Sequence, residues 1–260
     1  MKPSTEKKAG ISEIRIIGVP GLPEIRPADP IPALLQARLK ALRFALEPGD
    51  ICLVTQKIIS KTEGAVVDLE AVTPSPFALQ VARRIKKDPR LLEVVLQQSQ
   101  RIVRMDRDIM ICETKHGWIC ANAGVDQSNV PGRNFVTLLP TDPDGSARRF
   151  SRELEALFHF PVPVILTDTF GRPWREGLTN VAIGSAGLEP LIDWRGKRDP
   201  FGYELQKTLV AVADELASAA ELVMGKIEGI PIAIVRGYAY QSSDAGSQSL
   251  IRPPAKDMFR

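Results

Sequence analysis

Histidine and cysteine are scarce in this chain of 260 residues, which holds two histidines and three cysteines. Cys52, Cys112 and Cys120 form no CxxC pair, and neither His116 nor His159 stands near a cysteine pair, which argues against structural zinc. All three cysteines lie in apolar runs and read as buried free thiols in a reducing compartment. No stretch of about 18 apolar residues occurs, so no transmembrane span is expected. The opening MKPSTEKKAG is charged and has no apolar segment behind it, so it is not a secretory signal. A cytoplasmic protein is expected, with residues 1–10 a disordered lead-in and residues 11–260 the folded part.

The familiar nucleotide and hydrolase fingerprints are missing too. Gly196–Lys197 and Gly225–Lys226 lack both the upstream glycine and the following Ser or Thr of a P-loop. There is no G-x-G-x-x-G and no G-x-S-x-G. LTDTF lacks the second aspartate of an aspartyl-nucleophile phosphatase, because Phe170 stands there. DPDG at 142–145 lacks the rest of a calcium loop and reads as a turn that caps the next helix. His116 and His159 look like turn and surface residues rather than bases.

What is present is ordinary for a globular protein: 44% hydrophobic and 25% charged residues, enough for a sizeable core. A net charge of +3 suits a local pocket for small anions, and lacks the dense basic clustering of a nucleic-acid binder. Strands are expected at 11–19, 51–60, 162–170 and from Pro231, with a hairpin pattern in DIMICET and HGWICANAG. Helices are expected at 34–46, 75–85 and 89–103, from about Ser146, and over 203–225. Serine and aspartate precede two of them as N-caps. FGRPWREGLTN reads as a loop. Helices and strands mix without a regular βαβα beat, so the fold class is α+β or mixed α/β.

Chemistry concentrates in a few places. Asp126 and Asp168 each close an apolar run and are followed by glycine, amide or hydroxyl residues. Such carboxylates can hold a hard divalent cation, with the Thr169 hydroxyl and Asn129 amide as further oxygens, or they can simply cap turns. Arg172 and Arg175 in GRPWR can clamp a phosphate or carboxylate, or remain solvated. Lys57 and Lys61 follow a strand and can neutralise a polyphosphate.

Together GLPEI (21–25), ISKTEG (59–64), CANAGVDQSNV (120–130), LPTDPDGSAR (139–148), TDTFGRPWREG (167–177), VAIGSAG (181–187) and VADELASAAELVMGK (212–226) resemble the γ-glutamyl ligases of the deazaflavin coenzyme F-420. The resemblance implies two interleaved subdomains with largely antiparallel sheets in an intertwined homodimer. It implies a ligase that uses GTP and two divalent metals, Mg²⁺ or Mn²⁺, with K⁺ a further candidate cofactor. L-Glutamate would be joined to a carboxylate of the coenzyme precursor, and further glutamates added through γ-linkages. Neither a nucleic acid nor a membrane is implied as a partner.

Carried over by motif, Asp126, Asp168 and Thr169 are metal ligands. Leu22, Pro23, Glu24, Ile25, Gln56, Lys57, Lys61 and Asn129 approach the nucleotide, as does the loop of Met224, Gly225, Lys226, Ile227, Glu228, Gly229 and Ile230. Asp126, Asp168, Lys61, Arg172 and Arg175 would serve the chemistry. Lys226 stands where archaeal members have a metal-ligating glutamine, and a charged ammonium cannot ligate a metal. The same lysine and the ending IRPPAKDMF look like the actinobacterial branch, whose added C-terminal flavin-binding domain is expected to be absent here. Three alternatives remain at this point: a non-catalytic nucleotide- or deazaflavin-binding homologue, a ligase for a different acid or amine, and a structural dimeric α+β protein whose aspartates are turn residues.

Overall fold

The molecule is seen here as a computed structural model that describes residues 12–258, apart from 131 and 133. The expectation for residues 1–10 lies outside them. Twelve strands and six α-helices occur among the described residues, and the sheets are mostly antiparallel.

The main sheet has five strands: β1 (Arg15–Gly18), β2 (Ile51–Thr55), β8 (Val164–Arg172), β9 (Arg175–Ala186) and β12 (Ile232–Arg236), in the order β1-β12-β2-β8-β9. Only β2 and β8 run parallel. Strand alternation sorts the apolar side chains onto two faces. Cys52, Val54, Val164, Leu166, Ile232 and Ile234 pack toward α1 (Ile31–Ala41) and α5 (Pro143–Phe158), where Leu35, Leu39, Phe150 and Leu154 meet them. Ile51, Leu53, Ile165, Ala233 and Val235 pack on the other face against Ala213, Leu216, Ala217 and Ala220 of α6 (Val212–Met224). A sheet covered on both faces explains why β2 reads as a continuous apolar run. Close approach of α5 to β9 needs Gly184, where a Cβ would lie 2.5 Å from the Pro143 carbonyl oxygen.

A third apolar cluster lies under a smaller sheet of β4 (Ser99–Asp106), β5 (Ile109–Thr114) and β6 (Ile119–Ala121). It is filled from α3 (Pro76–Ile85) and α4 (Pro89–Gln98) by Val81, Ile85, Leu92 and Val95. The short strands β3 (Val66–Asp68) and β7 (Phe135–Thr137) pair beside it, and β10 (Ile192–Asp193) pairs with β11 (Leu209–Val210) in an outer arm. The expected N-caps hold: Ser75 accepts from the Ala78 amide, and Asp88 from Arg90.

Several boundaries differ from expectation. The run 51–60 is a strand only to Thr55, and α2 (Gln56–Thr62) takes over. The adjacent buried pair Ile58 and Ile59 and the Ser60–Gln56 hydrogen bond, one turn apart, need a helix there, whatever the β-propensity of isoleucine. The helix of 89–103 stops at Gln98, and β4 begins. The helix of 203–225 starts only at Val212, because Leu209 and Val210 pair with β10. Helix α5 starts at Pro143, where Pro suits the first turn and Asp142 caps the Gly145 amide. The supposed loop FGRPWREGLTN is the tip of the β8–β9 hairpin, closed by Pro173 and Trp174. The apolar signal fades there because the hairpin projects into solvent, while the ladder still satisfies its backbone.

Candidate active site

A cavity of about 600 Å³ opens between the carboxyl ends of β2 and β8, the 22–25 loop, the 122–129 segment and the 225–231 loop. Parallel strand ends leave such crevices. Leu22, Pro23, Glu24 and Ile25 form one wall. Gln56, Lys57 and Lys61 enter from α2, and Asp126 and Asn129 from the segment after β6. Asp168 and Thr169 come from β8, and Gly225, Lys226, Ile227, Gly229 and Ile230 from the loop after α6.

Four expected residues are not brought to the cavity. Met224 is 1% exposed and packs in the core under α6. Glu228 turns its carboxylate back to the Ile227 amide. Arg172 donates to the carbonyl oxygens of Glu176 and Gly177 at the exposed hairpin tip, and Arg175 stands on the same tip. Asp168 does not end its strand, since β8 continues to Arg172 and Asp168 pairs with Val181 of β9. Asp126 sits in an isolated bridge with Thr137.

Each acidic or hydroxyl group of the cavity has a distinct electrostatic setting. Lys57 Nζ pairs with Asp126 Oδ2, while the Ser128 amide donates to Oδ1 and its hydroxyl to Oδ2, each at 2.8 Å. Burial alone would raise the Asp126 carboxyl, yet Lys57 and Ser128 hold it below the usual range. Among the described residues Asp168 has no ion-pair partner, only a hydrogen bond from the Thr169 backbone. Burial pushes it up to about 6, and the Asp126 charge adds to the rise, against the Thr169 backbone and the charges of Lys57 and Lys226. Burial, with help from Asp168, also pushes the neighbouring Cys120 thiol up to about 12, so it is an inert wall rather than a nucleophile. Lys61 Nζ meets Glu24 Oε1 at 2.5 Å. Lys226 Nζ donates to Thr169 Oγ1 and pairs with Glu221 at 3.1 Å.

Two polar atoms at the cavity floor, Gln56 Nε2 and Thr167 Oγ1, are buried without a partner among the described residues. Glu221, Asn180, Ser128 and Thr167 also line the cavity and escaped sequence reading. Asn180 lies in a strand outside every quoted motif, whereas Glu221 lies within VADELASAAELVMGK, whose spacing assigns it no role. Only the register that places Asn180 opposite Thr169 reveals the former.

The donor set suits a hard cation. Among the described residues no three His, Cys, Asp or Glu side chains converge, so an all-protein metal cage is absent. Two carboxylates and a hydroxyl beside an open cavity are what Mg²⁺ requires when phosphate oxygens and water complete its shell. Desolvation of Asp168 that the Thr169 backbone and the nearby lysine charges offset only in part is the observation that favours such an ion.

The family description F420-0:Gamma-glutamyl ligase matches residues 21–237. The chain belongs to this family. A curated protein of Methanothermobacter thermautotrophicus, named coenzyme F420:L-glutamate ligase, is 46% identical over 95% of this chain and 99% of its own length. One of the same name from Methanopyrus kandleri is 45% identical over 96% of this chain and 99% of its own. Another, from Methanocaldococcus jannaschii, is 42% identical over 84% and 87%. The matched span contains every expected site residue. Among the described residues no helix of this family member is long and apolar enough to cross a membrane.

Proposed function

We propose that this chain is a ligase that joins the amine of L-glutamate to a carboxylate of the deazaflavin coenzyme precursor, using GTP and divalent metal ions, and then adds γ-linked glutamates. One observation carries the reading: in the cavity of a γ-glutamyl ligase family member, Asp126, Asp168 and Thr169 converge with Lys57, Lys61 and Lys226. Oxygen ligands for a cation stand beside ammonium groups suited to phosphates.

A carboxylate is a poor acylating agent. Transfer of the GTP γ-phosphoryl group to it releases GDP and gives an acyl phosphate. The glutamate amine then attacks the acyl carbon, phosphate leaves, and the amine proton is lost to the medium. Asp126, Asp168 and Thr169 would hold the metal, which neutralises phosphate charge when bound. Lys61, 9% exposed between Glu24 and the cavity, would hold phosphate charge in place. The 22–25 and 225–231 loops would orient the nucleotide, and Ile25, Ile58 and Ile230 would exclude water from the acyl phosphate. Arg172 and Arg175 stay outside the scheme, because the tip holds them in solvent.

A homodimer is part of the same proposal. It is supported by the apolar surface left open on the outer arm and the hairpin, where Phe201 is 97%, Trp174 80%, Leu178 66% and Tyr203 65% exposed.

The test is incubation with GTP, Mn²⁺, L-glutamate and the deazaflavin precursor, followed by mass spectrometry. GDP and a glutamate-dependent mass increase are expected. Absence of a glutamylated product with either Mn²⁺ or Mg²⁺ overturns the reading. A second reading, a binder without catalysis, is favoured by the lysines already seated on Asp126 and Thr169. Tight GTP binding without metal-dependent GDP release would select it.

A further inference from the structure

Asn180 has no part in the scheme above, yet its placement is specific. It is 2% exposed, lines the cavity and faces Thr169 across the β8–β9 ladder. Thr169 Oγ1 donates to Asn180 Oδ1 at 2.7 Å. The Asn180 carbonyl accepts from Ser218 Oγ of α6 at 2.8 Å, which fixes the strand against the helix. From the other side Lys226 Nζ donates to the same Thr169 oxygen while Glu221 holds the ammonium at 3.1 Å.

Counting donors decides the orientation. An ammonium has only donors, so Thr169 must accept from Lys226. The single hydroxyl proton then needs another acceptor, and among the described residues that acceptor is Asn180 Oδ1. With the amide reversed, Nδ2 would donate to the hydroxyl oxygen and leave the hydroxyl proton to point into the cavity. A free hydroxyl rotates and can point its proton into the cavity, where it repels a cation. The one tied to Asn180 presents lone pairs only.

We propose that Asn180 is a positioning residue that locks the Thr169 hydroxyl as an acceptor, so that this end of the cavity selects positive charge. In this structure the positive charge is the Lys226 ammonium. In the loaded protein it is a divalent cation brought with the nucleotide. The proposal rests on the cation-binding part of the ligase reading. It adds a residue outside the metal ligands, and it makes Thr169 the single route by which that residue acts.

The experiment is a Mn²⁺ titration of the full chain with a non-hydrolysable GTP analogue, free Mn²⁺ being read by electron paramagnetic resonance. Wild type, Asn180→Ala, Thr169→Val and the double variant are compared. Asn180→Ala is expected to weaken Mn²⁺ about tenfold, as loss of an outer-shell partner does. In the Thr169→Val background the same change is expected to do nothing further, because coupled residues are not additive. Asn180→Asp, which keeps the acceptor, is expected to retain affinity within about threefold. If Asn180→Ala does not fold, Asn180→Leu, close in volume and without an acceptor, takes its place. Unchanged affinity in the alanine or leucine variant, or losses that multiply in the double variant, overturn the positioning role and leave the ligase reading intact. A wild-type protein that takes up no Mn²⁺ with the nucleotide analogue overturns the cation reading, and this proposal with it.

Discussion

At the residue scale the cavity turns on Asp168, whose carboxyl is pushed up to about 6 by burial, with the Asp126 charge adding to the rise. A raised acid binds its proton more tightly in the native state than in the unfolded chain. Stability of the metal-free protein therefore falls as pH rises from about 4 to about 6, and the loss is complete above that. At pH 7 the cost is of order 3 kcal/mol, a rise of roughly two units at about 1.4 kcal/mol each. Asp168→Asn should remove it, raising the melting temperature of the metal-free protein by about 2–4 °C per kcal/mol recovered. The same variant should lose turnover and the stabilisation that Mn²⁺ gives to the wild type. Thermal melts across pH 4–7, with and without Mn²⁺, check both; a wild-type profile flat over pH 4–6 would count against it. Asp126 was as conspicuous in the sequence as Asp168, both being carboxylates among apolar residues. What the sequence could not convey is that Lys57 would pair directly with Asp126 and reach Asp168 only through its field, because that depends on where α2 starts.

At the element scale the misread segments share a cause. Gln56–Thr62 and Ser99–Asp106 follow apolar runs without a Gly or Pro to mark the change, so periodicity carries across a boundary that tertiary packing sets. Capped helices such as α3 and α4 were legible because Ser75 and Asp88 announce them. The end of α6 is equally explicit. Gly225 has φ 60° and ψ −165°, a conformation close to glycine-only, and a Cβ there would lie 2.0 Å from Glu228 Oε2. Gly225→Ala should cost about 1–3 kcal/mol and displace the Lys226 loop, raising the KM for nucleotide more than it lowers kcat. Denaturant unfolding and steady-state kinetics measure the two effects; a loop that tolerates alanine with unchanged KM would show that its shape does not matter.

At the scale of the whole molecule, GLPEI, ISKTEG, CANAGVDQSNV, TDTFGRPWREG and VADELASAAELVMGK, far apart in the sequence, each contribute residues to one cavity, while LPTDPDGSAR and VAIGSAG supply α5 and β9 behind it. The layers themselves were less legible. The arm between β10 and β11 and the β8–β9 hairpin carry large apolar residues that a single chain does not bury, and sequence patterning alone treats them as core or loop. If they pair two copies, sedimentation velocity should give twice the chain mass, and Phe201→Asp should shift the protein toward monomer without lowering the content of secondary structure. A monomeric wild type at tens of micromolar would remove the dimer from the proposal.

One buried carboxylate joins distant parts of this molecule. Asp144, in the first turn of α5 and 7% exposed, accepts from the Ser185 amide of β9 and from the amide and hydroxyl of Ser247, each at 2.8 Å. Two of its three donors therefore belong to the C-terminal tail. A protease nick just ahead of Ser247 would loosen more than a surface strap. It would strand a negative charge beneath the same β8–β9 hairpin that carries Asp168, so the integrity of the tail becomes a condition for the shape of the cavity.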